Sequence, residues 1–261
     1  MQTITTHDSH IATAAGRLFA RSWIPNTSSK LAPIVLQHDS LGSVELWRDF
    51  PQQLAIATGR PVVAYDRLGF GRSDAHPGMV GPDLVDQEVN GDFRAVLDAF
   101  EISQFVAFGH SIGGGMSIAC AAVYPESCIA LITESAQVYA EPHTLAGIRE
   151  AKIAFAQPGQ LDRLKKYHGE KAAWVLAAWT DTWLSPAFAE WSLDNYLRNV
   201  RCPVLSLHGD NDEYGSLEHP RRIHALTGSR SVIMQGCGHV PHREQPEKVI
   251  DTIRDWLQTV A

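Results

Sequence analysis

Ser111 stands in Gly109-His110-Ser111-Ile112-Gly113-Gly114, between the apolar run QFVAFGH (104–110) and the small-residue segment IGGGMSIACAAVY (112–124). A G-x-S-x-G pentapeptide is weak evidence by itself, because glycine and serine are common. Between a strand and a helix it acquires a mechanism. The serine must occupy a sharp turn, and the flanking glycines let strand and helix pass without a Cβ clash. Its hydroxyl then projects above the sheet, and the Ile112 amide points toward the same space. A serine hydroxyl is a poor nucleophile at neutral pH; it needs a base, and the base needs an orienting acid. The chain offers both. Asp212 lies in LHGDNDEYG directly after the apolar run PVLSL, and His239 lies in GCGHVPH after SVIMQ. The bland alternative is a serine in a tight turn with no chemistry, and these two partners count against it.

The elements that must position these residues alternate in type. APIVLQH (32–38), PVVAYD (61–66), QFVAFGH (104–110), CIALITES (128–135), CPVLSLHGD (202–210) and RSVIMQGCGH (230–239) are short apolar runs that read as buried strands. Between them, 44–58, 82–100, 112–124 and 246–260 carry helical spacing, the second with a proline near its first turn. Such alternation predicts βαβ units and a mostly parallel sheet flanked by helices. The first 25 residues read as a lead-in hairpin. From Gln137 to Val200 the alternation stops: the patterning is helical, with no convincing strand. This segment carries seven Lys+Arg against seven Asp+Glu, and nine of the 22 aromatic residues. It reads as a helical cap over the carboxyl ends of the strands, inserted into a core of 1–136 and 201–261. Trp179 and Trp183, at helical spacing, are candidates to face a substrate; the alternative is that they glue the cap to the core.

The bulk properties exclude several classes. The 261 residues carry 22 Lys+Arg and 29 Asp+Glu, a net charge of −7, and are 44% hydrophobic. The acidic balance argues against a protein that grips nucleic-acid phosphates. No apolar run approaches the ~18 residues that span a bilayer. The N-terminal MQTITTHDSH lacks the basic and apolar regions of a signal peptide, so a cytoplasmic location is expected. Cys120, Cys128, Cys202 and Cys237 form no CxxC pair and read as free thiols. No His or carboxylate set has metal-ligand spacing, so neither metal nor cofactor is expected. GFGRS (69–73) lacks the full G-x-G-x-x-G of a phosphate loop.

QHDSLGS (37–43), YDRLGFGRS (65–73), GHSIGG (109–114), LHGDND (207–212) and GCGHVPH (236–242) together resemble the α/β-hydrolase superfamily over essentially the full chain. The Ser, Asp, His order, with spacings of 101 and 27 residues, is the order of that superfamily. The resemblance implies Ser111 as nucleophile, His239 as general base and acid, and Asp212 as the carboxylate that orients it. It implies an oxyanion hole from the Ile112 amide and, by alignment, the Ser40 amide. Relatives read His-Gly-x in that second loop, whereas this chain reads His38-Asp39-Ser40. Two carboxylates compete with Asp212. Asp210 fits a turn residue better. Glu134 ends a strand where some relatives carry the acid; otherwise it lines the pocket or binds the cap. His38 and His110 lie near the site by the same analogy and are, with Glu134, Trp179 and Trp183, candidate substrate contacts.

The fold hosts many chemistries. Serine at the elbow argues against the dehalogenase and epoxide-hydrolase branches, which use aspartate. His110 before the serine suits esterases, lactonases and thioesterases, whereas hydrolases of ring-cleavage carbon–carbon bonds often carry asparagine there. The expectation is therefore a carboxylic-ester hydrolase, monomeric or homodimeric, acting on a small to medium, rather apolar substrate through an acyl-enzyme. A carbon–carbon bond hydrolase, lactonase or thioesterase is the alternative, and a non-enzymatic small-molecule receptor a more distant one.

Overall fold

The computed structural model describes residues 3–26 and 30–260; the outermost residues of the expected core, 1–2 and 261, lie outside the described residues. Eight strands follow one another as β1 (Ile4–Ala12), β2 (Arg17–Pro25), β3 (Ile34–Gln37), β4 (Val62–Tyr65), β5 (Phe105–His110), β6 (Cys128–Glu134), β7 (Val204–Gly209) and β8 (Arg230–Met234). They form one sheet in the order β1-β2-β4-β3-β5-β6-β7-β8. The hairpin β1–β2 and the pair β2–β4 are antiparallel, and every other pair is parallel. All residues of β3, β4, β5 and β7 are buried, which a sheet covered on both faces requires.

The helices supply those covers. On one face α1 (Phe50–Thr58) packs with the closing helix 246–260, bringing Trp47, Leu54, Ile253 and Trp256 onto Phe108, Ile132 and Leu205. On the other, α2 (Leu84–Asn90), α3 (Asp92–Ala99) and α4 (Ile112–Val123) bury Val85, Phe93, Met116 and Ile118 against Val35, Ala107 and Leu131. The segment 137–200 holds α5 (Pro142–Phe155), α6 (Gln160–His168), α7 (Ala172–Trp183) and α8 (Asp194–Leu197), with a single isolated bridge between Tyr139 and Ser192. Then come α9 (Glu218–Thr227), the short α10 (Pro241–Glu244) and α11 (Pro246–Val260). Among the described residues no helix is long and apolar enough to cross a membrane.

Two expected helices are split. The span 44–58 is a 3₁₀ turn, Val44–Trp47, followed by α1 from Phe50, because Arg48 takes φ 52° between them. The span 82–100 breaks at Gly91, whose φ −109°, ψ −96° no helix tolerates; its N–H still bonds Gln87 O, and a Cβ there would sit 2.7 Å from that oxygen. The chain thus turns at Gly91 and presents Glu88 and Asp92, on either side of it, to one cavity.

Candidate functional site

Ser111 sits between the end of β5 and the start of α4 with φ 58°, ψ −124°, outside the broad regions open to L-residues. Neighbouring contacts hold it there. A Cβ on Gly109 would lie 1.9 Å from Gly113 O, and one on Gly113 would lie 2.2 Å from Gln37 O. Strand, turn and helix therefore meet at distances only glycine permits.

The Ser111 hydroxyl lies 3.0 Å from His239 Nε2, and His239 Nδ1 lies 2.8 and 2.9 Å from the two Asp212 oxygens. Residues 101 and 128 positions apart in the chain thus form one hydrogen-bonded series. All three are buried. Asp212 Oδ1 also accepts the Tyr214 and Gly215 amides at 2.8 and 2.9 Å. Burial works to raise the Asp212 pKa, but the His239 hydrogen bond and charge and the backbone donors outweigh it and bring it to about 2. Burial likewise opposes the charged form of His239, and the Asp212 carboxylate overcomes it, so the imidazole pKa stands above its ordinary 6.5. Such a His accepts a proton readily from a neighbouring hydroxyl and stays oriented by its carboxylate.

Two amides complete the site. Ile112 is the first residue of α4, where backbone N–H groups have no helical acceptor. Among the described residues neither the Ile112 nor the Ser40 amide donates to a protein acceptor. Both residues line a cavity of about 230 Å³ that extends from the elbow under α7. Phe70, Met116, Trp179 and Trp183 form its apolar side, and Arg67, Glu88 and Asp92 its polar side. The lining is therefore mixed, with charged groups beside the aromatic side. The Asp39 carbonyl that precedes Ser40 accepts Arg67 Nη2 at 2.7 Å, so a buried guanidinium ties down this loop.

The remaining candidates meet other protein groups. His38 is enclosed, its ring nitrogens meeting the Arg67 side chain at 3.3–3.4 Å. His110 Nε2 meets the His239 carbonyl oxygen at 2.7 Å, behind the catalytic-type ring. Glu134 is fully buried, and its Oε2 lies 2.5 Å from His242 Nδ1, not beside His239. Burial pushes the Glu134 pKa up to about 7 and the His242 pKa down to about 3. Asp210 accepts the Cys237 amide and takes no part in the Ser–His–Asp series. His110, Glu134 and His242 bring three ligand-type atoms within 4.8 Å of one another. Their 132-residue spread along the chain hides this from any spacing motif. Within this group Glu134 Oε2 contacts His242 Nδ1 and His110 Nε2 meets the His239 carbonyl oxygen.

Sequence reasoning also missed Gln137. Its Oε1 accepts the Ser111 hydroxyl at 3.3 Å while its Nε2 donates to Tyr214 O at 3.2 Å. Nothing in the run ESAQVYA marks it; only the return of the chain past β6 brings it to the serine.

The fold and the Ser–His–Asp geometry define a class, and residues 34–252 match the model of the Alpha/beta hydrolase family; the chain belongs to that family. It is similar to a proline iminopeptidase of Lactobacillus delbrueckii subsp. bulgaricus, 24% identical over 87% of this chain and 90% of that protein. It is also similar to a 2-hydroxy-6-oxo-2,4-heptadienoate hydrolase of Pseudomonas putida, 26% identical over 86% of this chain and 88% of that one. Among solved structures, a carboxylesterase of Nitrososphaera gargenis superposes with TM-score 0.76 at 19% identity, covering 97% of this chain and 98% of that one. The protein is a hydrolase.

Proposed function

We propose that the protein is a serine hydrolase that cleaves a carboxylic ester through an acyl-enzyme. The observation that carries this reading is the Ser111–His239–Asp212 series at a strained strand–helix turn. In it His239 Nε2 takes the proton of Ser111 as Oγ attacks the carbonyl carbon. The oxyanion is held by the Ile112 and Ser40 amides, each such donor being worth ~2.7–4 kcal/mol. The tetrahedral intermediate expels the alcohol, which receives the proton from His239. Water, activated by the same imidazole, then releases the acid and restores Ser111. Asp212 keeps the proton of neutral His239 on Nδ1 and stabilises the imidazolium.

In this reading the segment 137–200 is the cap, and Trp179 and Trp183 on α7 roof the cavity that takes one arm of a small to medium substrate. The partner is a small-molecule ester rather than nucleic acid or membrane, the compartment the cytoplasm, and the protein a monomer or homodimer. A second reading, hydrolysis of a carbon–carbon bond, is favoured by the likeness to the Pseudomonas putida hydrolase. A panel of p-nitrophenyl esters, lactones, acyl thioesters and vinylogous diketones, run beside the Ser111→Ala protein, separates them. The ester reading predicts hydrolysis of p-nitrophenyl acetate or butyrate that Ser111→Ala abolishes. Undiminished hydrolysis by Ser111→Ala, or turnover of the diketones alone, contradicts it.

A further inference from the structure

Arg67 is 6% exposed and lines the cavity that begins at Ile112 and Ser40. Its protein partners carry no negative charge: the Asp39 carbonyl oxygen at 2.7 Å, the His38 ring nitrogens at 3.3–3.4 Å and Met116 Sδ at 3.2 Å. Among the described residues no carboxylate oxygen comes within 4.0 Å of the guanidinium. A thioether is a weak acceptor, so Nη1, which faces the Met116 side of the cavity wall, has no strong partner. A buried cation of this kind is costly unless an anion meets it.

Glu88, Asp39 and Asp92 act on Arg67 through their charge from beyond 4.0 Å, and none of them pairs with it directly. Glu88 Oε1 accepts the Tyr65 hydroxyl at 2.5 Å, and Asp92 Oδ2 accepts the Leu68 amide at 2.8 Å. Burial pushes the Glu88 carboxyl up to about 8, so at neutral pH it is mostly the uncharged acid and can donate. Asp92 spends one oxygen on the Leu68 amide, and the Asp39 side chain turns toward His110, 4.0 Å away, so neither makes a direct pair with Arg67. His76 also lines the space, and an apolar side built from Phe70, Met116, Trp179 and Trp183 completes it.

We propose that the arm of the substrate lying in this cavity ends in a carboxylate, which Arg67 binds, so that the preferred substrates are hemiesters of short dicarboxylic acids. A carboxylate accepts the Nη1–H that has no strong protein partner, as a charge-assisted hydrogen bond. The cavity of about 230 Å³ accommodates a short arm, and the aromatic side covers its methylene groups. The inference rests on the ester-hydrolase reading for what the carboxylate is attached to, while the binding of the anion itself does not require turnover.

The test is therefore made on the Ser111→Ala protein, with the fluorescence of Trp179 and Trp183 in the cavity wall as reporter. Monomethyl succinate and monomethyl glutarate are titrated against dimethyl succinate and dimethyl glutarate. The proposal predicts that a hemiester binds at least tenfold tighter than its diester. It also predicts that added salt reduces this preference and that Arg67→Gln abolishes it, with Arg67→Lys retaining part. Equal binding, tighter binding of the diester, or no binding of either hemiester overturns it. The hemiester–diester comparison needs no Arg67 variant, so it stands if Arg67→Gln fails to fold. A tenfold preference without hydrolysis by the unmodified protein would sink the ester reading and leave the Arg67 site; hydrolysis of neutral esters without a preference would do the reverse.

Discussion

Replacing Asp212 by asparagine exchanges one heavy atom and should remove most of the activity. Oδ1 accepts the Tyr214 and Gly215 amides at 2.8 and 2.9 Å, so the asparagine carbonyl must take that place. Its NH₂ then falls where Oδ2 stood, 2.9 Å from His239 Nδ1. Nδ1 then faces a donor at 2.9 Å as well as the carbonyl at 2.8 Å, so the proton is no longer held on Nδ1, and the tautomer with the proton on Nε2 presents Ser111 with a donor where it needs an acceptor. The imidazolium formed during attack also loses its counter-charge. In Ser–His–Asp sites the corresponding exchange costs on the order of 10⁴ in kcat, about 5 kcal/mol. The assay is kcat/KM for a p-nitrophenyl ester, with circular dichroism to establish that the fold persists. Glu134→Gln serves as comparator: Glu134 contacts His242 rather than His239, so its loss should change kcat/KM only a few-fold. A loss below about tenfold for Asp212→Asn, or a loss with Glu134→Gln equal to it, would refute the assignment.

Further outcomes follow from the same geometry. The acid limb of the kcat/KM profile reports protonation of the base; because Asp212 raises the His239 pKa, activity should fall as pH drops through a midpoint above 6.5. Folded Asp212 titrates near 2 against 3.8 unfolded, worth about 2 kcal/mol; this stability is present above about pH 4 and is lost as pH falls toward 2, which denaturant midpoints at pH 5 and pH 3 would measure. Ser111→Gly relieves the φ 58° conformation, typically a cost of ~1–3 kcal/mol, and should raise Tm by a few degrees while abolishing turnover. Gly113→Ala would set a Cβ 2.2 Å from Gln37 O and should cost far more activity and stability than Ala121→Gly, made as a control in the same helix α4.

The order of β3 to β8 and the closing helix were legible because apolar runs and amphipathic repeats alternate without ambiguity; α11 occupies the span 246–260 that the sequence predicts. The splits at Arg48 and Gly91 were not, since hydrophobic spacing continues across both and only the backbone angles interrupt it. For the site, motif context located Ser111, Asp212 and His239. It could not place His38, His110 and Glu134, because proximity to a motif does not say on which side of the sheet end a ring or carboxylate lies. The structure turns His110 toward the His239 backbone and Glu134 toward His242. The polar wall of Arg67, Glu88 and Asp92 escaped notice for a related reason. Glu88 and Asp92 lie within the helical spacing of 82–100, and only the Gly91 turn brings both into one buried space. Cys128 and Cys202, 74 residues apart, lie with their sulfurs 3.8 Å from each other, a neighbourhood created only by the pairing of β6 with β7.

The central claim is that Ser111 carries the acyl group during turnover. Acid-quenching the protein during steady-state hydrolysis of p-nitrophenyl butyrate, followed by intact-mass and peptide mapping, measures this directly. The account predicts one butyryl group per chain, on the peptide containing Ser111, and none in Ser111→Ala. An adduct on another residue, or Ser111→Ala protein that still hydrolyses the ester at the unmodified rate, would contradict it.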